Sequence, residues 1–128
     1  MLHVPGLYIQ DIPHKGRGVF CGHDLQEGDT IELCPVIIIP PSEVPSIHGT
    51  HLHDYYFLWP ASPGAACIAL GYGSLYNHHR DPNAEVIMDL DAAMIEIRCS
   101  KPIPAGTEIL IDYTDGGSAE APLWFQEE

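Results

Sequence analysis

The sequence is short of positive charge: 5 Lys and Arg stand against 18 Asp and Glu, a formal net charge of -13 over 128 residues. Such a field repels phosphate backbones and attracts cations and basic peptides, so direct nucleic-acid binding is not expected and a basic partner is. The plainer use of the same acids is solubility. Long apolar runs are missing as well. No stretch approaches the roughly 18 consecutive apolar residues of a membrane span, and the start, "MLHVPGLYIQD", lacks a basic segment followed by an apolar one. We therefore expect no membrane association and no secretion signal. That favours the cytoplasm, or a host nucleus if the protein is a viral or secreted effector.

Paired cysteines are absent too. Cys21, Cys34, Cys67 and Cys99 lie 13, 33 and 32 positions apart with no CxxC, so neither a zinc knuckle nor a disulfide framework is indicated, and buried free thiols are expected. Sustained helical periodicity is the last absence. Only "IHGTHLHDYYFLW" (47–59) offers a short helix, with Leu52, Tyr55, Tyr56 and Trp59 spaced by three and four.

What the chain does have is punctuation. Twelve Gly and twelve Pro divide it into short β-type runs: "LYI" (7–9), "GVFC" (18–21), "TIELCPVIII" (30–39), "ACIAL" (66–70), "AEVIM" (84–88), "MIEIRC" (94–99) and "EILIDY" (108–113). The expected fold is mostly β, in one domain. Two segments echo each other: Leu25, Gly28 and Ile31 recur as Ile103, Gly106 and Ile109, each displaced by 78 positions. In both, an apolar residue leads into a turn whose Gly supplies a positive φ, and a β run follows. Two such units suggest sheet layers packed across each other, and "PPSEVP" (40–45) reads as a loop within the domain rather than a linker.

Three stretches could carry chemistry. "KGRGVF" (15–20) sets Gly16 and Gly18 around Arg17 before a β run, so backbone amides can approach a ligand with no Cβ in the way. Taken alone it is a hairpin turn. "NHHRDPN" (77–83) brackets two imidazoles, an Arg and an Asp between Asn77 and Asn83, with Pro82 fixing the path; alone it is a turn satisfying its own backbone. "LIDYTDGG" (110–117) ends an apolar strand on Tyr113, alone a rim tyrosine.

In this order and spacing, the three resemble the SET-domain family of protein lysine methyltransferases. The likeness runs from about Lys15 to Tyr113, takes in "DLQEGDTI", "ALGYGSLYNH" and "PIPAGTEIL", and is closest in style to the minimal viral and bacterial members. The resemblance implies a single domain over 1–128, with its core at about 7–116 and a tail at 117–128. It implies a β-clip fold of short sheets with one or two short helices, whose C-terminal segment threads under a loop to form a pseudoknot. S-adenosylmethionine would bind on one face and a lysine would enter from the other. By motif, Gly16, Arg17 and Gly18 meet the donor's methionine part, Asn77 and His78 hold its amino group and adenine, and Tyr113 sits at the transferring methyl. Tyr55 is the second catalytic candidate. Tyr56, Tyr72, Tyr76 and Ile111 are candidates for the lysine channel, with Ile111 favouring addition of more than one methyl.

Departures from the family pattern are visible. His79 and Arg80 replace a common Ser-Cys, and no thiol follows Cys99, so the zinc-binding cysteine cluster of relatives is missing. Trp124 in "PLWFQEE" is the candidate lid over the adenine; packing on the body or a homodimer contact are the alternatives. The implied partner is a basic protein or peptide bearing the target lysine.

Aromatic and carbonyl groups suit that chemistry. A lysine ammonium of pKa about 10.4 must lose a proton before it attacks, which costs about 4.6 kcal/mol at pH 7. A dry aromatic channel lowers the cost by desolvating the charge, whereas a carboxylate beside the amine would raise it. Two rivals from other classes are a β-clip binding module without turnover and a metal-binding protein built on His48, His51, His53 and Asp54.

Overall fold

The computed structural model describes residues 2–14 and 16–112. Ten strands are present in that span: β1 (Leu2–His3), β2 (Tyr8–Ile12), β3 (Gly16–Phe20), β4 (Thr30–Ile39), β5 (Tyr56–Leu58), β6 (Ala66–Ala69), β7 (Asn77–His78), β8 (Ala84–Asp89), β9 (Met94–Cys99) and β10 (Leu110–Ile111). The helical content is one short α-helix, α1 (Val44–His48), with 3-10 turns at Pro41–Glu43, His51–Asp54 and Gly73–Leu75. The fold is mostly β, as its Gly and Pro punctuation indicates.

One antiparallel sheet runs in the order β5-β6-β4-β9-β8, with β1 also paired to β4. Its backbone is β4, which changes partner at Pro35: Thr30 to Pro35 face β9, and Val36 to Ile39 face β6. A proline cannot donate to a ladder, so the exchange falls where the hydrogen bonding is already interrupted. β9 alternates strictly, turning Ile95, Ile97 and Cys99 into the core. There they join Val19, Ile31, Cys34, Cys67, Ile109 and Ile111, all sealed from solvent. The four cysteines are free and buried, as their spacing suggested.

The 78-residue echo is a physical pairing. Leu25 and Ile103 exchange two backbone bonds, at 2.8 and 2.9 Å. The flanking bonds repeat under the same displacement: Gly28 N–H to Cys99 O at 2.8 Å and Gly106 N–H to Cys21 O at 2.7 Å, then Cys99 N–H to Asp29 O at 2.8 Å and Cys21 N–H to Thr107 O at 3.2 Å. Gly28 and Gly106 both take positive φ, 92° and 84°, a region where a Cβ would be strained. The two turns therefore clasp each other about a local two-fold and draw the C-terminal segment back against the N-terminal strands.

The helix expected over 47–59 is corrected. α1 begins upstream and ends at Gly49, the Thr50 hydroxyl then accepts from Leu52 N–H at 3.1 Å, and Tyr56 enters β5. The four residues do not share a face: Leu52 and Tyr55 are exposed, while Tyr56 and Trp59 are buried. Pairing with β6, which sets Tyr56 opposite Ile68 and Phe57 opposite Cys67, overrides a weak 3.6-residue pattern. The edges that the sequence blurred are β1, β5 and β7, each of two or three residues.

Candidate functional site

The three separated motifs meet at one place. β10 lies parallel to β7, with Leu110 opposite Asn77 and Ile111 opposite His78. The loop between the two asparagines grips the same segment from its other end: Asn83 N–H donates to Leu110 O at 3.2 Å, and His79 N–H donates to Ile111 O at 2.9 Å. On the opposite side Ile109 N–H donates to Val19 O at 2.8 Å, tying in the strand that carries the glycines. A C-terminal segment held under a loop in this way is the threaded arrangement the resemblance implied.

Asn83 is the clasp. Its Nδ2 donates to Glu108 O at 2.9 Å and its Oδ1 accepts from Leu110 N–H at 2.8 Å, so one side chain satisfies two backbone groups of another strand. The polar density of "NHHRDPN" thus does more than close its own turn. Inside the loop, His79 Nδ1 accepts from Asp81 N–H at 3.0 Å, and Asp81 pairs with Lys101 at 2.6 Å, which holds its carboxyl below the usual range.

Asn77 faces the glycines. Its Nδ2 donates to Glu108 Oε2 at 2.7 Å and to Arg17 O at 3.2 Å. The two glycines behave differently. A Cβ on Gly16 would meet nothing within 4 Å, leaving open space beside a backbone at φ 87°. On Gly18 it would fall against Glu108 Oε2, Ile12 Cδ1 and Asn77 Nδ2, so in this structure the chain's own groups fill the room Gly18 leaves. His78 is buried and lies with its Nδ1 3.7 Å from Asp112 Oδ1.

Oxygen acceptors dominate this corner: the carbonyl of Arg17, the carboxylate of Glu108 and the amide of Asn77. That chemistry suits the ammonium end of an amino acid, and Gly16 leaves backbone within its reach. The residues present therefore fit the methionine part of S-adenosylmethionine. Glu108 was missed in the sequence; the available signal was a lone charge opening the apolar run "EILI".

The aromatic candidates separate on burial. Tyr55 is 40% exposed, after the 3-10 turn at His51–Asp54. Tyr56 is buried, with its hydroxyl 2.9 Å from His48 Nδ1, and burial raises its pKa. Tyr72 is half-buried and meets the His3 ring edge-on at 5.6 Å. Tyr76 lies deepest of the four. Its ring is wholly enclosed and its hydroxyl donates to Glu32 Oε1 at 2.7 Å, so it packs in the core. Burial, and then the charge of Glu32, push that phenol's pKa far up. Glu32 Oε2 also accepts from Tyr72 N–H at 3.0 Å. Ile111 is fully buried on β10. Tyr113 and Trp124 lie outside the described residues. Among the described residues no group of three His, Cys, Asp or Glu side chains is arranged to hold a metal ion.

Comparison with known proteins agrees with this geometry. The profile of the SET domain family matches residues 16–114. A Schizosaccharomyces pombe protein described as a histone-lysine N-methyltransferase, H3 lysine-37 specific, is 35% identical over 124 residues, spanning 95% of this chain and 78% of that protein. A crystal structure of a candidate histone methyltransferase from Plasmodium falciparum superposes with a TM-score of 0.70 at 30% identity, over 88% of this chain and 95% of that one.

Proposed function

The chain belongs to the SET-domain family, and from that premise we propose that it transfers methyl groups from S-adenosylmethionine to the side-chain amine of a lysine in a basic protein. The observation that carries the reading is the convergence of Arg17, Asn77 and Glu108, where three sequence-distant segments share one hydrogen-bond network beside Gly18. When bound, the donor supplies a methyl made electrophilic by its sulfonium. Asn77 and the Arg17 carbonyl would bind its amino-acid end beside Gly16, and His78 would stand on the adenine side.

The chain's other residues handle the amine. Tyr113, two positions past buried Ile111, is proposed to orient it by a phenol oxygen, which accepts weak CH···O contacts without stabilising the ammonium as a carboxylate would. Tyr55, solvent-exposed, is the proposed channel wall. Ile111 offers no hydroxyl to hold a water near the amine, so di- or trimethyl-lysine is the expected product, read from the methyl count in a mass spectrum. Trp124 is the proposed lid. The acidic surface would recruit basic peptides, and a histone H3 tail is the first substrate to try, since the Schizosaccharomyces pombe relative is named for H3 lysine-37.

Incubation with labelled donor and a panel of basic peptides, followed by mass spectrometry, tests the reading. A methylated lysine supports it. Donor binding without transfer to any peptide would make the chain a binding module instead.

A further inference from the structure

Resting on the donor-site reading above, we propose that Glu108 is a positioning residue: it fixes which end of the Asn77 side-chain amide faces the donor. A primary amide has a donating end and an accepting end of nearly the same shape, and its neighbours decide which way it points. Among the described residues, the side-chain bonds of Asn77 are two, and both leave from Nδ2, to Glu108 Oε2 at 2.7 Å and Arg17 O at 3.2 Å. One partner is a carboxylate and the other a backbone carbonyl. Turning the amide over would set Oδ1 against two oxygens. Nδ2 is thus held inward and Oδ1 becomes the atom presented to a ligand, which can accept from an ammonium but not donate to a carboxylate.

The Arg17 carbonyl bond is long, so the shorter bond to the carboxylate carries the greater share of this preference. Glu108 is itself fixed. Its backbone oxygen accepts from Asn83 Nδ2 at 2.9 Å, and the residue bridges Phe20 in the β3 direction. Gly18 marks the place where the pair meets. A Cβ there would press on the side-chain ends of Glu108, Ile12 and Asn77, so the glycine leaves the room in which carboxylate and amide now sit. The glycine of the motif then acts at one remove from the ligand, by letting Glu108 reach Asn77.

The test is calorimetric and needs no turnover. The full-length protein is titrated with S-adenosylhomocysteine and with its deaminated analogue, which lacks only the ammonium. Wild type should prefer the amino-bearing compound. Glu108→Ala should bind that compound about ten-fold or more weakly, as expected for losing a charge-assisted contact, while binding the deaminated analogue as wild type does. Glu108→Gln, which still offers Oε1 to Asn77, should keep most of the preference. An equal loss for both compounds in Glu108→Ala would mean a purely structural role, and unchanged binding of both would mean no role; either overturns the proposal. So would Glu108→Gln as weak as Glu108→Ala, which would point to direct charge attraction. Should Glu108→Ala not fold, Glu108→Asp, one methylene too short to keep the 2.7 Å bond to Asn77, carries the same test; an undiminished preference there overturns the proposal. Wild-type protein that binds neither compound would overturn the donor-site reading and this inference with it.

Discussion

The hydroxyl of Tyr76 donates to Glu32 Oε1 at 2.7 Å, with both side chains enclosed by the core. Glu32 lies on β4 and Tyr76 immediately precedes Asn77, so this bond ties the central strand to the entrance of the candidate site. Tyr76→Phe removes one of the bonds to a buried carboxylate, and we expect a loss of about 1–3 kcal/mol in stability. Chemical denaturation measures it. Substrate KM should stay within a few-fold of wild type, because the ring lies in the core; a large rise in KM with unchanged stability would return Tyr76 to the lysine channel.

Alkaline pH should unfold the protein early. Burial raises the pKa of Tyr76 and Cys34, with Glu32 adding to both, and pushes Cys67 up to about 12. In each case the unfolded chain releases the proton first. Stability is therefore complete below the ordinary thiol and phenol values and falls as pH rises above them, by roughly 1.4 kcal/mol per pH unit for each group in its window. Denaturation midpoints measured from pH 8 to 11 should decline, first from the thiols and then more steeply above about pH 10. Tyr76→Phe should lessen that last slope; an identical slope in the variant would contradict the assignment.

The Asn83 clasp should matter to the site more than its distance in sequence suggests. Asn83→Ala leaves Glu108 O and Leu110 N–H without their side-chain partner, at about 1 kcal/mol per bond. Amide hydrogen exchange should quicken at Leu110 in particular, and donor affinity should fall because Glu108 and β10 lose their seat. Unchanged exchange at Leu110 would show that the strand is held by its backbone pairing alone.

Much of this was legible in the sequence where residue type and spacing act locally. β4 and β9 run over the residues their β-branched and alternating patterns mark, and the 78-residue echo located two turns that prove to bond each other. The helix over 47–59 misled because tertiary pairing of Tyr56 and Phe57 with β6 outweighs a short periodic pattern. The partner of Tyr76 was not legible either. A tyrosine beside a binding motif reads as a site residue, and only the fold reveals the buried acid 44 positions away that takes its hydroxyl. Glu108 was hidden, and the clasping role of Asn83 with it, because their partners come from a chain crossing that no local spacing encodes.

The most direct measurement pairs wild type with Tyr113→Phe, each assayed for donor binding by calorimetry and for methyl transfer to lysine by mass spectrometry. The substitution keeps the ring and removes one oxygen, so the variant should bind S-adenosylmethionine within a few-fold of wild type. Its turnover should fall by about 10²- to 10³-fold, the usual effect of removing one preorganised polar contact at a reacting centre. The wild-type rate should rise with pH as the lysine amine loses its proton, and the variant should remain slow at high pH, since the phenol's proposed role is to orient. Wild-type protein that binds the donor yet labels no lysine, or a variant within a few-fold of wild-type turnover, would contradict the account.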